Sequence, residues 1–596
     1  MKEDIKSRLA ALRELMAARN IAATVIPQGD PHQSEYVSPH WKLRTFFSGF
    51  DGSAGTLVVT ADKALLWTDS RYFLQAAIDL DGTEITLMKE GLEDTPTITQ
   101  WLTHNLQPGS TVGIDGMVNS AAETVALAKA LEREELNLVA DFDPVGDIWP
   151  DRPALPVCPV EIHDEKYAGE SAHSKIARIL EVAARDEHAT AVFISALDEI
   201  AWLLNIRSND VRYNPVATAF LYISNAGSTL LIDPVKLTDE VRDYLAAQGV
   251  ATAPYSSVLD FIAAIPAEAR VLVEGARNAA AVVDALGARA IVGASPVALA
   301  KSCKNDTQIE HVRRAMARDG VAMVRSLMEI ERRIRDTDKP LTELEVGEIV
   351  LRNRQKSPLF RDESFGTIAG FGPHGAIVHY EADEQTNAVI KTGNLLLIDS
   401  GAQYPDGTTD LTRTIATGTP TPQQKRDFTL VMKGHIALGS AIFPAGTTGH
   451  QLDVLARHFL WNEGLNYLHG TGHGVGFFLN VHEGPQSVRL NHVPTPLMPG
   501  MLTSNEPGLY RENVHGIRCE NLVLTVPAMT TEFGRFLKFE TMTMCPFDRC
   551  LFDLSIMTAE EIAWVNNYHA KVRETLLPLL ATDEEREWLT AATAAL

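Results

Sequence analysis

The stretch L-L-L-I-D-S-G-A-Q-Y-P-D-G-T-T-D-L-T-R-T, residues 395–414, decides how the C-terminal half folds. Residues Asn394–Ile398 are a buried-strand run that ends at Asp399. The turn sequence Y-P-D-G-T-T follows, and a second strand begins near Asp410. A hairpin of this kind brings Asp399 and Asp410 face to face, so one element offers two carboxylates to one point. Three contexts downstream supply more donors: H-G-T-G-H-G-V-G at 469–476, S-N-E-P-G at 504–508 and G-I-R-C-E-N at 516–521. Their key residues are His473, Glu506 and Glu520.

Taken singly, each is unremarkable: an aspartate after a strand reads as a turn residue, and a glycine-flanked histidine as a loop residue. The ordered set of five in strand- or turn-linked contexts is different. Four carboxylates and one imidazole that converge would repel strongly if left bare. Two divalent cations remove that repulsion, and mixed oxygen and nitrogen donors suit such a pair. A two-metal site is a hydrolytic device. The glycines around His473 let backbone and side chain approach a ligand closely. Glu520 is expected within a strand over 516–526. Arg518, two residues earlier, then faces the same side and orients ligand carboxylates.

Working outward, residues 306–335 read as a long helix, with further helices near 422–441 and 449–463 and two more over 556–595. Residues 5–19 read as an amphipathic helix with Leu9, Leu12 and Met16 on one face. Short apolar strands are expected at 22–26, 55–59, 64–68, 191–194, 219–223, 229–232 and 270–273. The proline-rich stretch from Asp141 to Pro159 reads as a linker. No internal repeat is visible in the sequence.

The 596 residues exceed one core and imply several domains. A net charge of -24, from 53 basic and 77 acidic residues, leaves no surplus to neutralise phosphates, so no nucleic-acid partner is expected. Five scattered cysteines without C-x-x-C spacing fit reduced thiols in a cytosol. The first residues lack the apolar core of a signal peptide, and no apolar run is long enough to span a membrane. A cytoplasmic location is expected.

These residues resemble the dinuclear-metal peptidases with the pita-bread fold: methionine aminopeptidase, prolidase and aminopeptidase P. G-A-I-V-H-Y at 375–380 and L-H-G-T-G-H-G-V-G-F-F-L-N-V-H-E-G-P at 468–485 resemble the long, three-domain form of aminopeptidase P. S-G-F-D-G-S-A-G-T at 48–56, W-T-D-S-R-Y-F-L-Q-A at 67–76, A-L-D-E-I-A-W-L-L-N-I-R at 196–207 and W-V-N-N-Y-H at 564–569 agree. The implied fold class is α/β (α+β). Two creatinase-type domains, 1–155 and 156–302, precede a catalytic domain, 303–596, with a helical extension from about 540.

The resemblance implies removal of an N-terminal residue from peptides with proline second. Metal ligands carry over to Asp399, Asp410, His473, Glu506 and Glu520. The implied metal is manganese, with cobalt or zinc as alternatives. By resemblance, His379 and His482 contact substrate near the scissile carbonyl and His469 lines the proline site. Arg71 reaches substrate from the first domain, and Arg518 supports the ligands. Glu506 is expected to take a proton from a water held between the metals. The family is commonly dimeric, with Trp461 a candidate subunit contact. Prolidase is the nearest rival. Metal-free creatinase and a non-enzymatic peptide-binding module share the fold, and both are disfavoured by the intact ligand set.

Overall fold

The computed structural model describes residues 2–336 and 338–596. They form two compact units: residues 1–165 with 170–297, and residues 166–169 with 298–596.

In the first unit, helix α1 (Lys2–Ala18) buries Ile5, Leu9, Leu12 and Met16. Their four-three-four spacing makes one apolar stripe. A six-stranded sheet follows, with strands β1 (Ala23–Pro27), β2 (Thr56–Thr60), β3 (Ala64–Thr68), β4 (Ile85–Lys89), β5 (Thr111–Gly113) and β6 (Asn137–Val139). Their order is β4-β3-β2-β1-β5-β6. A second sheet contains β7 (Ala191–Ile194), β8 (Ala219–Ser224), β9 (Gly227–Ile232), β10 (Val250–Ala253), β11 (Val271–Val273) and β12 (Ala290–Val292), in the order β10-β9-β8-β7-β11-β12.

The two orders are the same. In each sheet the first three strands pair antiparallel, and the fourth, fifth and sixth add on in parallel. The fold therefore repeats where the sequence showed no repeat. Central strands such as Leu57–Val59 and Ala191–Ile194 are buried continuously, as strands covered on both faces must be. The expected linker, 141–159, has no regular structure beyond one 3-10 turn at Gly146–Ile148.

The second unit opens with the expected long helix, α2 (Asp306–Arg335). A capping box between Asn305 and Gln308 starts it, and Arg332, Arg333 and Arg335 complement its C-terminal dipole. Helix α3 (Glu343–Arg354) follows. Strands β13 (Ile368–Phe371), β14 (Leu395–Ser400), β15 (Ala402–Tyr404), β16 (Gly407–Thr408) and β17 (Leu411–Ala416) come next. Helix α4 (Pro422–Gly439), strand β18 (Ile442–Pro444) and helix α5 (Gly449–Trp461) lead into the remaining strands. These are β19 (Gly472–Gly474), β20 (Glu483–Val488), β21 (Leu502–Asn505), β22 (Gly508–Arg511), β23 (His515–Arg518), β24 (Asn521–Thr531) and β25 (Gly534–Thr541). Helices α6 (Ala559–Leu576) and α7 (Asp583–Ala592) close the chain. Six strands form an antiparallel sheet, β18-β25-β24-β21-β19-β20, and β13-β14-β17 form a second.

Helix α2 is buried on two sides because it serves two cores. Met323, Leu327 and Ile330 pack with Val346 and Ile349 of α3 and with Leu396 and Ile398 of β14. Val321 and Val324 pack with Phe428 and Val431 of α4, and with Val565 and Val572 of α6. Asp319, also on α2, is buried but satisfied. It accepts Arg354 Nε at 2.9 Å and Nη2 at 3.1 Å, and the Tyr404 hydroxyl at 2.9 Å. Arg354 also donates to the carbonyls of Ser400 (3.2 Å) and Gly401 (3.1 Å). That ion pair fixes the backbone immediately after Asp399.

Candidate metal centre

The hairpin from 395 to 416 forms, in the register that a two-residue turn at Pro405 and Asp406 sets. Asp399 stands opposite Thr412, and Ser400 opposite Leu411. Asp410 precedes β17 and lies diagonal to Asp399, not directly across from it. The ladder breaks at Gly401, where a side chain would collide with the Thr409 carbonyl and Ser364 Oγ. The outer arms, β15 and β16, then pair in a separate sheet through Gln403↔Thr408 and Tyr404↔Gly407. The register is the same on both sides of Gly401, so the turn at 405–406 alone sets the stagger of the two acids.

Glu520 likewise departs from expectation. The strand expected over 516–526 is interrupted: β23 ends at Arg518 and β24 starts at Asn521. Glu520 sits in the interruption. Its backbone N–H donates to the Thr412 carbonyl at 3.2 Å, and its Oε2 accepts the Thr412 hydroxyl at 2.9 Å. Arg413 holds the Glu520 carbonyl at 2.5 Å. Arg518 holds the carboxylate of Asp399: Nη2 and Nε reach its Oδ2 at 2.6 and 3.1 Å.

His473 lies on β19, where the pairing with β20 is bulged between His473 and Gly474. Its Nδ1 is 2.9 Å from the Gly474 carbonyl. A carbonyl only accepts, so Nδ1 carries a proton and Nε2 is the ring nitrogen turned to the carboxylates. That Nε2 is 3.5 Å from Asp410 Oδ2 and 3.4 Å from Glu506 Oε1. Ser504 Oγ donates to Glu506 Oε1 at 3.2 Å. Asp410, His473 and Glu520 each place a ligand atom within 4.8 Å of the others.

The electrostatics show what this cluster lacks. Asp399 Oδ1 and Glu520 Oε1 are buried with no hydrogen-bond partner. Burial pushes the Asp410 carboxyl well above its ordinary range, and the charges of Asp399 and Glu506 push it further. Burial acts likewise on Glu520, aided by Asp410, Asp399 and Glu506. Glu506 is pushed up to about 7, first by burial. Bare buried carboxylates with vacant oxygens beside an imidazole nitrogen are a donor set for divalent cations. The residues present fit two such ions.

A pH dependence follows. In the folded metal-free protein these carboxyls bind protons more tightly than in the unfolded chain, whose values are near 3.8 and 4.5. The unfolded state then binds fewer protons, so stability falls as pH rises. Metal-free protein should lose stability from about pH 4 upward through pH 7, the value to which Glu506 is raised. Saturation with a divalent cation should remove that slope and release protons. Thermal melts with and without chelator across this range check the sign, and a rising slope in the chelated protein would contradict it.

The remaining expected residues fall in three places. The His482 ring meets His473 edge-on, 4.4 Å between centroids, and His379 lies parallel to His482 at 6.5 Å. His469 connects less directly. Its Nδ1 donates to the Gly470 carbonyl at 2.7 Å, leaving Nε2 to accept the Tyr510 hydroxyl at 2.8 Å. Tyr510 accepts Arg518 Nη1 at 2.8 Å, so His469 communicates with Asp399 through two side chains. Arg71 belongs to the first unit, where Asp69 grips its Nε at 2.9 Å and Nη2 at 2.7 Å.

Sequence reasoning missed Thr412 and Tyr510. Thr412 Oγ1 accepts Arg518 Nε at 3.2 Å and donates to Glu520, so one hydroxyl ties two supports of the site together. The signal for Tyr510 was the β22–β23 hairpin: Gly508 pairs with Arg518 and Tyr510 with Gly516, which puts Tyr510 and Arg518 on one face.

Comparison with known proteins agrees with this geometry. Residues 310–527 match the model of metallopeptidase family M24, and 535–596 match the C-terminal region of peptidase M24. Residues 8–145 and 151–308 each match a creatinase/prolidase N-terminal domain. A probable Xaa-Pro aminopeptidase P of Laccaria bicolor is 42% identical over 597 residues, covering 98% of this chain and 92% of its own. Another from Aspergillus fumigatus is 40% identical over 612 residues, with the same coverages. The crystal structure of X-prolyl aminopeptidase from Caenorhabditis elegans, described as a cytosolic enzyme with a di-nuclear active site, superimposes with a TM-score of 0.95. It is 34% identical and covers 99% of this chain and 100% of its own. With likeness of this extent over its full length, the chain belongs to metallopeptidase family M24, among the Xaa-Pro aminopeptidase P proteins.

Proposed function

We propose that the protein removes the first residue from peptides whose second residue is proline. The observation that carries this reading is the donor cluster: five ligand side chains, two of them with vacant buried oxygens, in a chain similar along its length to Xaa-Pro aminopeptidases P. Asp399, Asp410, His473, Glu506 and Glu520 would hold two divalent cations, and manganese suits a set dominated by carboxylates. When bound, such ions supply Lewis acidity and make a shared water easier to deprotonate.

The chain's own residues do the rest. Glu506 takes a proton and delivers it to the departing prolyl nitrogen. That nitrogen comes from a tertiary amide with no N–H, so it must be protonated to leave. His482 donates to the carbonyl oxygen as it gains charge, and His379 lies beside it. His469 lines the proline site, held by Tyr510. Arg518 keeps Asp399 aimed through its two hydrogen bonds.

A cytoplasmic location is supported by five free cysteines, and no helix among the described residues is long and apolar enough to cross a membrane. A homodimer is proposed, with the half-exposed Trp461 as a contact.

Purified protein should release the first residue from an Xaa-Pro-Pro tripeptide, lose that activity with chelator and regain it with Mn2+. Cleavage of an Xaa-Pro dipeptide alone would make the protein a prolidase. Metal-loaded protein that cleaves neither would point to a peptide-binding module.

A further inference from the structure

Twenty-three residues separate β13 from β14, and they carry His379. Apart from one 3-10 turn at Gly372–Ala376, they hold no helix or strand. Connections of this length are uncommon in compact domains, and something other than a backbone ladder must fix them. Beside a backbone bridge from Thr342 to Val389, one carboxylate gathers most of the ties to helix α3. Glu343, the first residue of α3, is buried and accepts five hydrogen bonds from four donors. The N–H of Phe371 reaches its Oε1 at 2.7 Å, and that of Ala388 its Oε2 at 2.8 Å. The Tyr380 hydroxyl reaches Oε2 at 2.8 Å, and His374 Nδ1 spans both oxygens at 2.9 and 3.0 Å.

Those donors run from Phe371, the last residue of β13, through His374 and Tyr380 to Ala388. Tyr380 is the neighbour of His379. The carboxylate takes no bond from its own helix; Thr342 and Glu345 form that capping box between themselves. The same end of α3 is bound to the segment twice more: Glu343 N–H to the Ala388 carbonyl at 3.1 Å, and Leu344 N–H to Asn387 Oδ1 at 3.1 Å.

We propose that Glu343 is a positioning residue that sets the approach of His379 to the substrate by binding both ends and the centre of residues 371–388 to helix α3. It acts through His379 and touches neither substrate nor metal ligands. A neutral amide at this position satisfies fewer donors, because its NH2 must face at least one of the N–H or O–H groups. The histidine is then held by a slack segment, and misplacement by a fraction of an ångström is costly at a reacting centre. The proposal rests on the aminopeptidase reading.

The test is a double-mutant cycle on an Xaa-Pro-Pro peptide with Mn2+-loaded protein. Glu343→Gln should lower kcat/KM by about tenfold or more, in line with other supports one shell away from a reacting group. His379→Ala should lower it further. The double variant should equal His379→Ala alone, since a positioning residue has nothing left to position. Tyr380→Phe, which deletes one donor and little volume, should give a smaller loss that likewise vanishes without His379. Metal content should stay at the wild-type value in all five variants. Additive losses in either cycle, or wild-type kcat/KM in Glu343→Gln, would overturn the proposal. No cleavage by the wild-type protein would instead sink the aminopeptidase reading.

Discussion

Replacement of Glu506 by glutamine should lower kcat on an Xaa-Pro-Pro peptide by about 10²- to 10⁴-fold, the usual size of a general-base contribution. Glutamine keeps the length and the oxygen that accepts Ser504 Oγ. It cannot carry a proton from one reaction centre to the other. Because Glu506 lies 3.4 Å from the ligand nitrogen of His473, the variant also weakens cation binding, so activity must be read with metal content beside it. At saturating Mn2+ and full occupancy, retention of more than about a tenth of the wild-type kcat would remove Glu506 from the proton-transfer role.

The second large effect is on stability. Arg413 is buried and ties four segments together, 412–413, 520–521, 545–546 and Tyr568. Its guanidinium donates to the carbonyls of Thr412 (2.8 Å), Glu520 (2.5 Å), Pro546 (3.0 Å) and Cys545 (2.7 Å). It also reaches Asn521 Oδ1 at 2.8 Å and the Tyr568 hydroxyl at 3.0 Å. Arg413→Met fills most of the volume but orphans several buried carbonyls. Each such acceptor costs about 1–3 kcal/mol when left unpaired, and their losses overlap. A net destabilisation of about 4 kcal/mol is expected, at the top of the range for point substitutions.

A denaturant titration of the second unit's unfolding measures it, and a loss under about 1 kcal/mol would mean the carbonyls find other donors. The same variant has a spectroscopic signature. His435 is depressed to about 3, first by burial and then by the charge of Arg413. Its imidazole should titrate at higher pH once that charge is gone.

The five donors were legible because their chemistry is local: residue type, a preceding strand, glycines where backbone must come close. Their supports were not. That Asp399 faces Thr412 and not Asp410 is set by the turn at Pro405 and Asp406, which fixes the register of the whole hairpin, and residue type alone does not report a register. The strand reading of 516–526 failed at one point, Glu520, for a similar reason. Periodicity runs straight through Cys519, which is buried, and gives no sign that the chain must turn there to present a ligand. Arg413 looks like any strand arginine until its partners from 520–521, 545–546 and 568 are known. The duplicated sheet topology of the first unit is invisible for another reason: two sheets can share a strand order while sharing only an apolar pattern, and that pattern is common to all buried strands.

The reach of Arg413 into Cys545, Pro546 and Tyr568 has a consequence for biogenesis. Ribosomes deliver about 5–20 residues per second, so Tyr568 appears on the order of ten to thirty seconds after Arg413. Until then the Glu520 carbonyl lacks the anchored guanidinium that shapes its turn. The first unit, with its own cores, can finish folding during that interval. Loading with cations is therefore a late event in the life of the nascent chain. A chain cut before residue 545 would carry all five candidate donors yet lack the Cys545, Pro546 and Tyr568 groups that anchor the Arg413 guanidinium beside Glu520.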